Sequence, residues 1–377
     1  MPERLLLAHA RGQVLFIAGA GVSMPAGLPD FRKLVVDVYA RLDKGIHAVV
    51  TSSKDDEAGD LSGLTSQQIA EVRRFKRRDY DVVLGMLERR IDDKPSATSR
   101  VRATVAEVLR AAGKKPAPIH KALMRLADRG GASTIVTTNF DLLLQDSANS
   151  KTKLQTYSLG GIPRPGRSGE FSGFLHIHGA LDRNPNRTSD LVITDRDFGE
   201  FYMRRRTVPD FIYDAARLFH IVLVGYSADD PPMRYLLNAI AADGVRFDDL
   251  KERFTFVGVA TPDPVLVEDW KGRGITPIAY DSKDHHQSLL DLLERWATLS
   301  AINGKPRKVD AEIKRIVSSP RSVADESDRD LFDHLVRRGN TSERIRLSSL
   351  ASKAGADTGW LDAIAEIALE RESEASV

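Results

Sequence analysis

Several short segments carry residue types that could do chemistry. Gly19-Ala20-Gly21-Val22-Ser23 follows directly on the apolar run Val14-Leu15-Phe16-Ile17-Ala18. Glycines at a strand end let the chain turn tightly, and they let backbone N–H groups approach a pyrophosphate beside a helix N-terminus. The full G-x-G-x-x-G fingerprint is absent, because Met24 stands where its third glycine would be, so a phosphate site and a plain tight turn both remain open. Thr137-Thr138-Asn139-Phe140-Asp141 closes a second β-branched run. Its Asn139 and Asp141 could serve a site, or could cap a helix beginning near Phe140. His176-Ile177-His178-Gly179 offers two imidazoles, each a candidate base or a buried structural histidine, and on a strand both would face one side. Gly225-Tyr226-Ser227 ends a further apolar run. Asp30 and Arg32, in Gly27-Leu28-Pro29-Asp30-Phe31-Arg32, could be no more than a surface ion pair.

The elements that must position these residues can be read from periodicity. Val14–Ala18, Thr134–Thr137, His220–Val224 and Phe254–Val259 are continuous apolar or β-branched runs, as expected of strands buried on both faces. Ile275–Tyr280 contains Pro277 and suits an edge strand, with Asp281 just beyond it. Helical stretches separate the runs, notably Pro118–Asp128, Asp230–Ala241 and His285–Ala297. Alternating strands and helices predict an α/β fold with a Rossmann-like parallel sheet. Residues from about 34 to 117 are charged and helical in pattern, as in Tyr80–Arg90, and read as a helical insertion. The charged stretch Arg73–Arg78 is most simply a solvated helix face. Asp146–Gly173 reads as loop around one short strand. After Ser300 the pattern is purely helical, with helices expected near Ala311–Val317, Asp328–Arg338, Ser342–Lys353 and Gly359–Glu370. The predicted organisation is a domain over 1–300 and a C-terminal helical region over 301–377, the latter a candidate surface for assembly or a partner.

The bulk numbers exclude several classes. The 377 residues exceed one ordinary domain of roughly 150 residues. The net charge is +2, from 55 basic and 53 acidic residues, which does not suit a protein whose main partner is nucleic acid. The last predicted helix, Trp360–Glu366, is acidic and would repel phosphates if read as part of a DNA-binding pair. There is no cysteine, so disulfides, thiolate metal sites and a cysteine nucleophile are all out of reach. The N-terminal Leu5-Leu6-Leu7 is too short for a signal peptide, and no run of about 18 apolar residues occurs, so a cytoplasmic chain without a membrane span is expected.

Taken together, the motifs resemble those of the sirtuin family over roughly residues 14–297. GAGVS followed by GLPDFR is similar to the family's N-terminal motif, TTNFD to its Asn-x-Asp motif, HIHG to its catalytic His-Gly, and GYS to a cofactor loop, in the family's order. The resemblance implies an enzyme that binds NAD and cleaves its nicotinamide–ribose bond. It implies that Asn139 orients the ribose and the attacking water, that Asp141 holds a ribose hydroxyl or supports Asn139, and that His178, which precedes Gly179, is the general base. It further implies that Gly19, Ala20, Gly21 and Ser23 hold the phosphates, that Asp30, Phe31 and Arg32 line the nicotinamide side, and that Gly225, Ser227 and Asp281 serve the adenosine half.

One departure from the family narrows the chemistry. Sirtuin deacylases usually carry a zinc module with two pairs of cysteines, and a chain without cysteine cannot build it. In its place stand Leu191–Asp195 and an aromatic, arginine-rich stretch, Phe198–Arg206. The peptide groove of the deacylases borders that module, so water becomes the expected nucleophile, with nicotinamide and ADP-ribose as products and no metal required. Zinc-free domains with these segments resemble those of bacterial anti-phage systems that deplete NAD. That resemblance implies a homo-oligomer and a HerA-type hexameric ATPase as partner. The rivals are a zinc-free protein deacylase or ADP-ribosyltransferase, and a non-catalytic NAD or ADP-ribose sensor.

Overall fold

A computed structural model describes residues 1–52, 60–92, 99–110, 114–128, 133–148, 154–166, 171–184, 190–226, 237–242, 250–261, 263–302 and 305–374. Seven strands form one sheet: β1 (Val14–Ala18), β2 (Thr134–Thr137), β3 (Thr156–Ser158), β4 (Gly173–His176), β5 (His220–Val224), β6 (Arg253–Val259) and β7 (Thr276–Asp281). Their order is β3-β4-β2-β1-β5-β6-β7. The pairs β1–β2, β2–β4, β3–β4, β5–β6 and β6–β7 run parallel. This is the α/β Rossmann-like sheet expected, with Pro277 on an edge strand where its missing N–H does no harm.

The register explains why distant motifs meet. Ala18 pairs with Thr137, and Thr137 pairs with His176. The residues that follow these three strands therefore leave the sheet at one level, at its C-terminal edge. The chain builds β2 and β4 on one side of β1 and then crosses to β5 on the other. In open α/β sheets the crevice at such a reversal of strand order is where ligands bind.

The described residues form two compact units, one of Leu15–Ala127 with Ala132–Leu290, the other of Met1–Val14, Asp128–Gly131 and Asp291–Val377. In the first, helix Thr207–Leu218 buries Val208, Phe211, Ile212, Ala215 and Ala216 in one cluster with Leu15, Ile17, Leu175, Ile221 and Leu223. The spacing is that of a single helical face, and each large side chain so buried stabilises by roughly 1.5–3 kcal/mol. The insertion has its own core, built from helices Phe31–Leu42, Lys44–Ser52, Ser66–Lys76, Tyr80–Ile91 and Arg100–Leu109 and completed by Leu181, Leu191 and Ile193 from beyond β4. Its buried Glu71 accepts from Tyr39 Oη at 3.0 Å and from Arg90 Nε at 2.6 Å, so the charge has partners.

The second unit is mainly helical among the described residues, with helices Glu3–Ala10, Pro306–Ile316, Glu326–Arg338, Thr341–Lys353 and Thr358–Glu374. Trp360 packs 4.6 Å from Phe332, and its Nε1–H donates to Ser319 O at 2.8 Å. Two boundaries differ from the sequence reading for local reasons. The tail's first helix starts at Pro306, where proline fits a first helical turn. The helix expected from His285 starts at Gln287, because His285 and His286 adopt left-handed φ of 55° and 67°. Most of the expected helix Asp230–Ala241 lies outside the described residues. No helix among them is long and apolar enough to cross a membrane.

Candidate active site

The loops after β1 and β5 touch backbone to backbone. Gly19 N–H donates to Val224 O at 2.9 Å and Gly21 N–H to Gly225 O at 2.8 Å. A Cβ on Gly21 would fall 2.9 Å from Gly225 Cα, and one on Gly225, whose φ is 62°, would fall 2.5 Å from Val22 N. Glycine is thus required at both positions by close approach, and at Gly225 by conformation as well. Val22 N–H donates to Gly19 O and Ser23 N–H to Ala20 O, at 3.0 and 2.9 Å. Four of the five N–H groups between Gly19 and Ser23 are therefore committed to protein carbonyls, which differs from the phosphate cradle expected of this loop.

The end of β2 is locked onto the end of β1. Thr137 Oγ1 donates to Ala18 O at 2.9 Å and accepts Asn139 N–H at 3.0 Å. Asn139 Nδ2 donates to Gly19 O at 2.9 Å and to Ser23 Oγ at 3.0 Å. Ser23 Oγ in turn donates to Asp141 Oδ2 at 2.8 Å, and Asp141 Oδ1 accepts Leu143 N–H at 3.0 Å. Every donor in this chain meets an acceptor, so the side chains hold one orientation. Both Nδ2 hydrogens are used, which leaves the Asn139 amide oxygen as its free polar atom. Ser23, expected at the phosphates, is here the bridge between Asn139 and Asp141. Asp141 also caps helix Leu143–Ser147, a role Asn139 does not share.

The two histidines diverge because β4 ends at His176. His176 Nδ1 donates to Asn139 O at 2.8 Å, and its Nε2 meets Gln145 Nε2 at 2.6 Å. His178 lies in the turn beyond, with Gly179 at φ 99° placing its backbone against Asp190. His178 Nε2 is 2.6 Å from Tyr202 Oη, and its ring stands edge-on to Phe198 at 5.6 Å. Both are buried, His178 at 5% exposure. Burial lowers the pKa of His176 and pushes that of His178 down to about 3, so both rings are neutral. The structure brings Gly19, Gly21, Ser23, Asn139, Asp141 and Gly225 together. It places His176, not His178, against the Asn139 backbone.

The remaining predicted site residues stand elsewhere. Asp30 caps helix Phe31–Leu42 by accepting Lys33 N–H at 2.7 Å, Phe31 packs on Tyr80, and the Arg32 guanidinium lies 5.4 Å above Phe75. All three contacts belong to the insertion. Ala20 is exposed at the loop's tip. Asp281 is exposed at the end of β7, four strands along from β2, and accepts Lys283 N–H at 2.9 Å. Ser227 lies outside the described residues. Among the described residues no three His, Asp or Glu side chains converge as a metal site.

Three residues here went unread in the sequence: Tyr202, Gln145 and His120. His120 is fully buried, its Nδ1 accepts Ala117 N–H at 3.1 Å, and its Nε2 has no hydrogen-bond partner among the described residues. Burial lowers its pKa, against the pull of the Asp141 charge. Its spacing within Pro118–Ala127, on the buried face with Ile119 and Leu123, was the only signal, and that face reads as core.

Comparison with known proteins finds several similarities. An uncharacterized protein of Sinorhizobium fredii, y4cA, is 32% identical over 359 residues, covering 89% of this chain; the chain spans 28% of that relative's length. Two solved structures align at 15% identity. One, described as a structural basis for the mechanism and regulation of Sir2 enzymes, has a TM-score of 0.35 over 78% of this chain and 96% of its own. The other, a Sir2 homologue mutant in complex with ADP-ribose, has a TM-score of 0.33 over 79% of this chain and 96% of its own. A family model described as a SIR2-like domain matches residues 133–278, so the chain is similar to that domain over the stretch that holds Asn139, Asp141, His178 and Gly225.

Proposed function

We propose that this chain hydrolyses NAD at the nicotinamide–ribose bond, giving nicotinamide and ADP-ribose. The observation that carries the reading is the directed chain Asn139–Ser23–Asp141 at the reversal of strand order, with the Asn139 amide oxygen left over as acceptor once both Nδ2 hydrogens are used. In the reaction, the oxygen of water bonds to the ribose C1′, the C–N bond breaks with its electron pair going to nicotinamide, and one proton is released. Asn139 Oδ1 accepts from that water or from a ribose hydroxyl and fixes its direction of approach. Ser23 and Asp141 hold the amide so that it cannot rotate and offer a donor instead. His178 would be the general base, but burial holds its pKa at about 3, so it could take up a proton near neutral pH only with its ring opened to water. Exposed Ala20 and half-buried Gly21 form the surface over which the phosphates would lie, by loop shape more than by free N–H groups.

The finer reading follows from the same resemblance. Water serves as acceptor because a chain without cysteine has no zinc-thiolate module to border a peptide groove. An unregulated NAD hydrolase would poison its own cytoplasm, so activity is controlled by assembly, in a homo-oligomer with a HerA-type hexameric ATPase as partner in anti-phage defence. Incubating the chain with NAD, with and without an acyl-lysine peptide, and quantifying both products tests the reaction. Equal nicotinamide and ADP-ribose, indifferent to the peptide, is the expected result. Nicotinamide formed in excess of ADP-ribose, or only with peptide, would show a transferase or deacylase. Tight NAD binding without turnover, alone and with the ATPase added, would show a sensor.

A further inference from the structure

His178 is closed off by one segment that is itself held from outside. Tyr202 and Phe198 cover the ring, and both belong to the helical turn Asp195–Phe198 and its π-helical continuation Gly199–Arg204. A π-helical turn is rare and is frequently found at functional sites. This one ends at Arg206 with a left-handed φ of 53°. The turn's near end is pinned to the insertion. Arg102 Nη2 donates to both carboxylate oxygens of Asp197 at 2.8 Å, Nη1 to Leu191 O at 2.9 Å, and Nε to Glu88 Oε1 at 2.9 Å. Asp197 also accepts the N–H groups of Ile193 and Thr194, at 3.1 and 3.0 Å. Arg102 is only 10% exposed and Glu88 2%, so the ion pairs are shielded, and removing one partner would leave a buried charge uncompensated. Gly85 admits the turn's first residue: a Cβ there would fall 2.1 Å from Asp195 Oδ1.

We propose that Asp195–Arg204 is an autoinhibitory latch, in which Tyr202 occupies Nε2 of His178 and the insertion, through Arg102, holds the latch shut. The inference rests on the reading of His178 as the base of the proposed reaction. With Nε2 in a 2.6 Å bond to a buried phenol, that nitrogen cannot take a proton from water or ribose, whichever of the pair holds the shared hydrogen. Turnover then requires the turn to swing away. Opening exposes the buried ring and breaks the Tyr202 bond, so the closed form is the ground state. Activation is any event that loosens the insertion's grip on Asp197.

The latch can be tested without assuming the reaction. Diethyl pyrocarbonate acylates exposed neutral imidazoles, and peptide mass spectrometry of the full chain at about pH 7 gives a rate for each histidine. His178 should react at least about tenfold more slowly than exposed His285. Tyr202→Phe leaves Nε2 buried without a partner, which favours opening by roughly 1–3 kcal/mol, or about 5- to 160-fold. Arg102→Gln should act in the same direction. NAD turnover should rise in both variants, a gain that a merely structural role would not produce. Wild-type His178 reacting as fast as His285, or at an unchanged rate in both variants, would overturn the latch even if NAD is hydrolysed. Faster acylation in the variants with no NAD turnover would keep the latch and overturn the NAD hydrolase.

Discussion

At the ends of β1 and β2, Asn139, Ser23 and Asp141 form a line of donors and acceptors with the Asn139 amide oxygen left unused among the described residues. At the end of β4, His178 stands in an apolar box with one phenol as its polar contact among the described residues, and its charged form is suppressed by burial. Both regions come from strand-end residues at the same level of one sheet. They differ in what completes them. The first is closed by the sheet's own loops, so it is rigid wherever the sheet is folded. The second is closed by a segment anchored to the insertion, so its state depends on a contact that can change. On the proposed reading, the half that orients substrate is fixed and the half that accepts the proton is conditional.

The comparison can be broken most sharply at Asn139. Asn139→Asp replaces the donor to Gly19 O and Ser23 Oγ with a second carboxylate near Asp141. NAD turnover should fall by about 100- to 1,000-fold, as on loss of a preorganised polar group, with melting as a check that the fold survives. Retained turnover would show that the line of hydrogen bonds does no orienting. Next in size is Gly225→Ala, which forces a left-handed φ and a 2.5 Å contact with Val22 N. It should cost about 3 kcal/mol or more in thermal or urea unfolding. A loss under about 1 kcal/mol would mean that the two loops are not locked together.

Acid sharpens the same contrast. The pKa of His178 is about 3 in the folded chain and that of His334 about 4, both depressed by burial and the second also by Arg338 and His9. The unfolded chain takes up these protons near pH 6.5 while the folded chain does not. Their contribution is therefore complete above pH 6.5 and is lost as pH falls towards about 4 and 3, at up to about 1.4 kcal/mol per pH unit for each group. Unfolding at a series of pH values should show this slope, and His178→Gln should flatten part of it. The smallest effect is expected from Ser23→Ala. Removing the bridge leaves the Asn139 amide less restrained, at a cost of about 1 kcal/mol in stability and a drop in turnover smaller than for Asn139→Asp. A larger drop than that would make Ser23 a direct substrate contact.

How much of this was legible in the sequence depended on range. β1, β2 and β5 were readable to the residue because each is a run of apolar or β-branched residues bounded by turn-forming neighbours. The edge position of β7 was readable from Pro277. That Asn139 and Gly19 lie close together followed from motif order, but Ser23 as the bridge from Asn139 to Asp141 did not, because the bond spans 116 residues and depends on the pairing of β1 with β2. The commitment of the Gly19 and Gly21 N–H groups to Val224 and Gly225 was hidden for the same reason: strand order is not written in local periodicity. His176 and His178 looked equivalent as long as a strand carried both. Only the end of β4 at His176 separates them. Tyr202 was visible merely as one aromatic in an arginine-rich stretch, and its partner could be known only once the insertion fixed Asp197 beside Arg102.

The most direct test of the central claim is a time course of nicotinamide and ADP-ribose from NAD, comparing the wild-type chain with Asn139→Ala and His178→Ala at matched folded fractions. The account predicts equal release of both products by the wild type, slow while the latch is closed and faster in Tyr202→Phe, and none above background from either alanine variant. Undiminished release from His178→Ala or Asn139→Ala, or a wild type that binds NAD but releases nothing even with Tyr202 replaced, would contradict it.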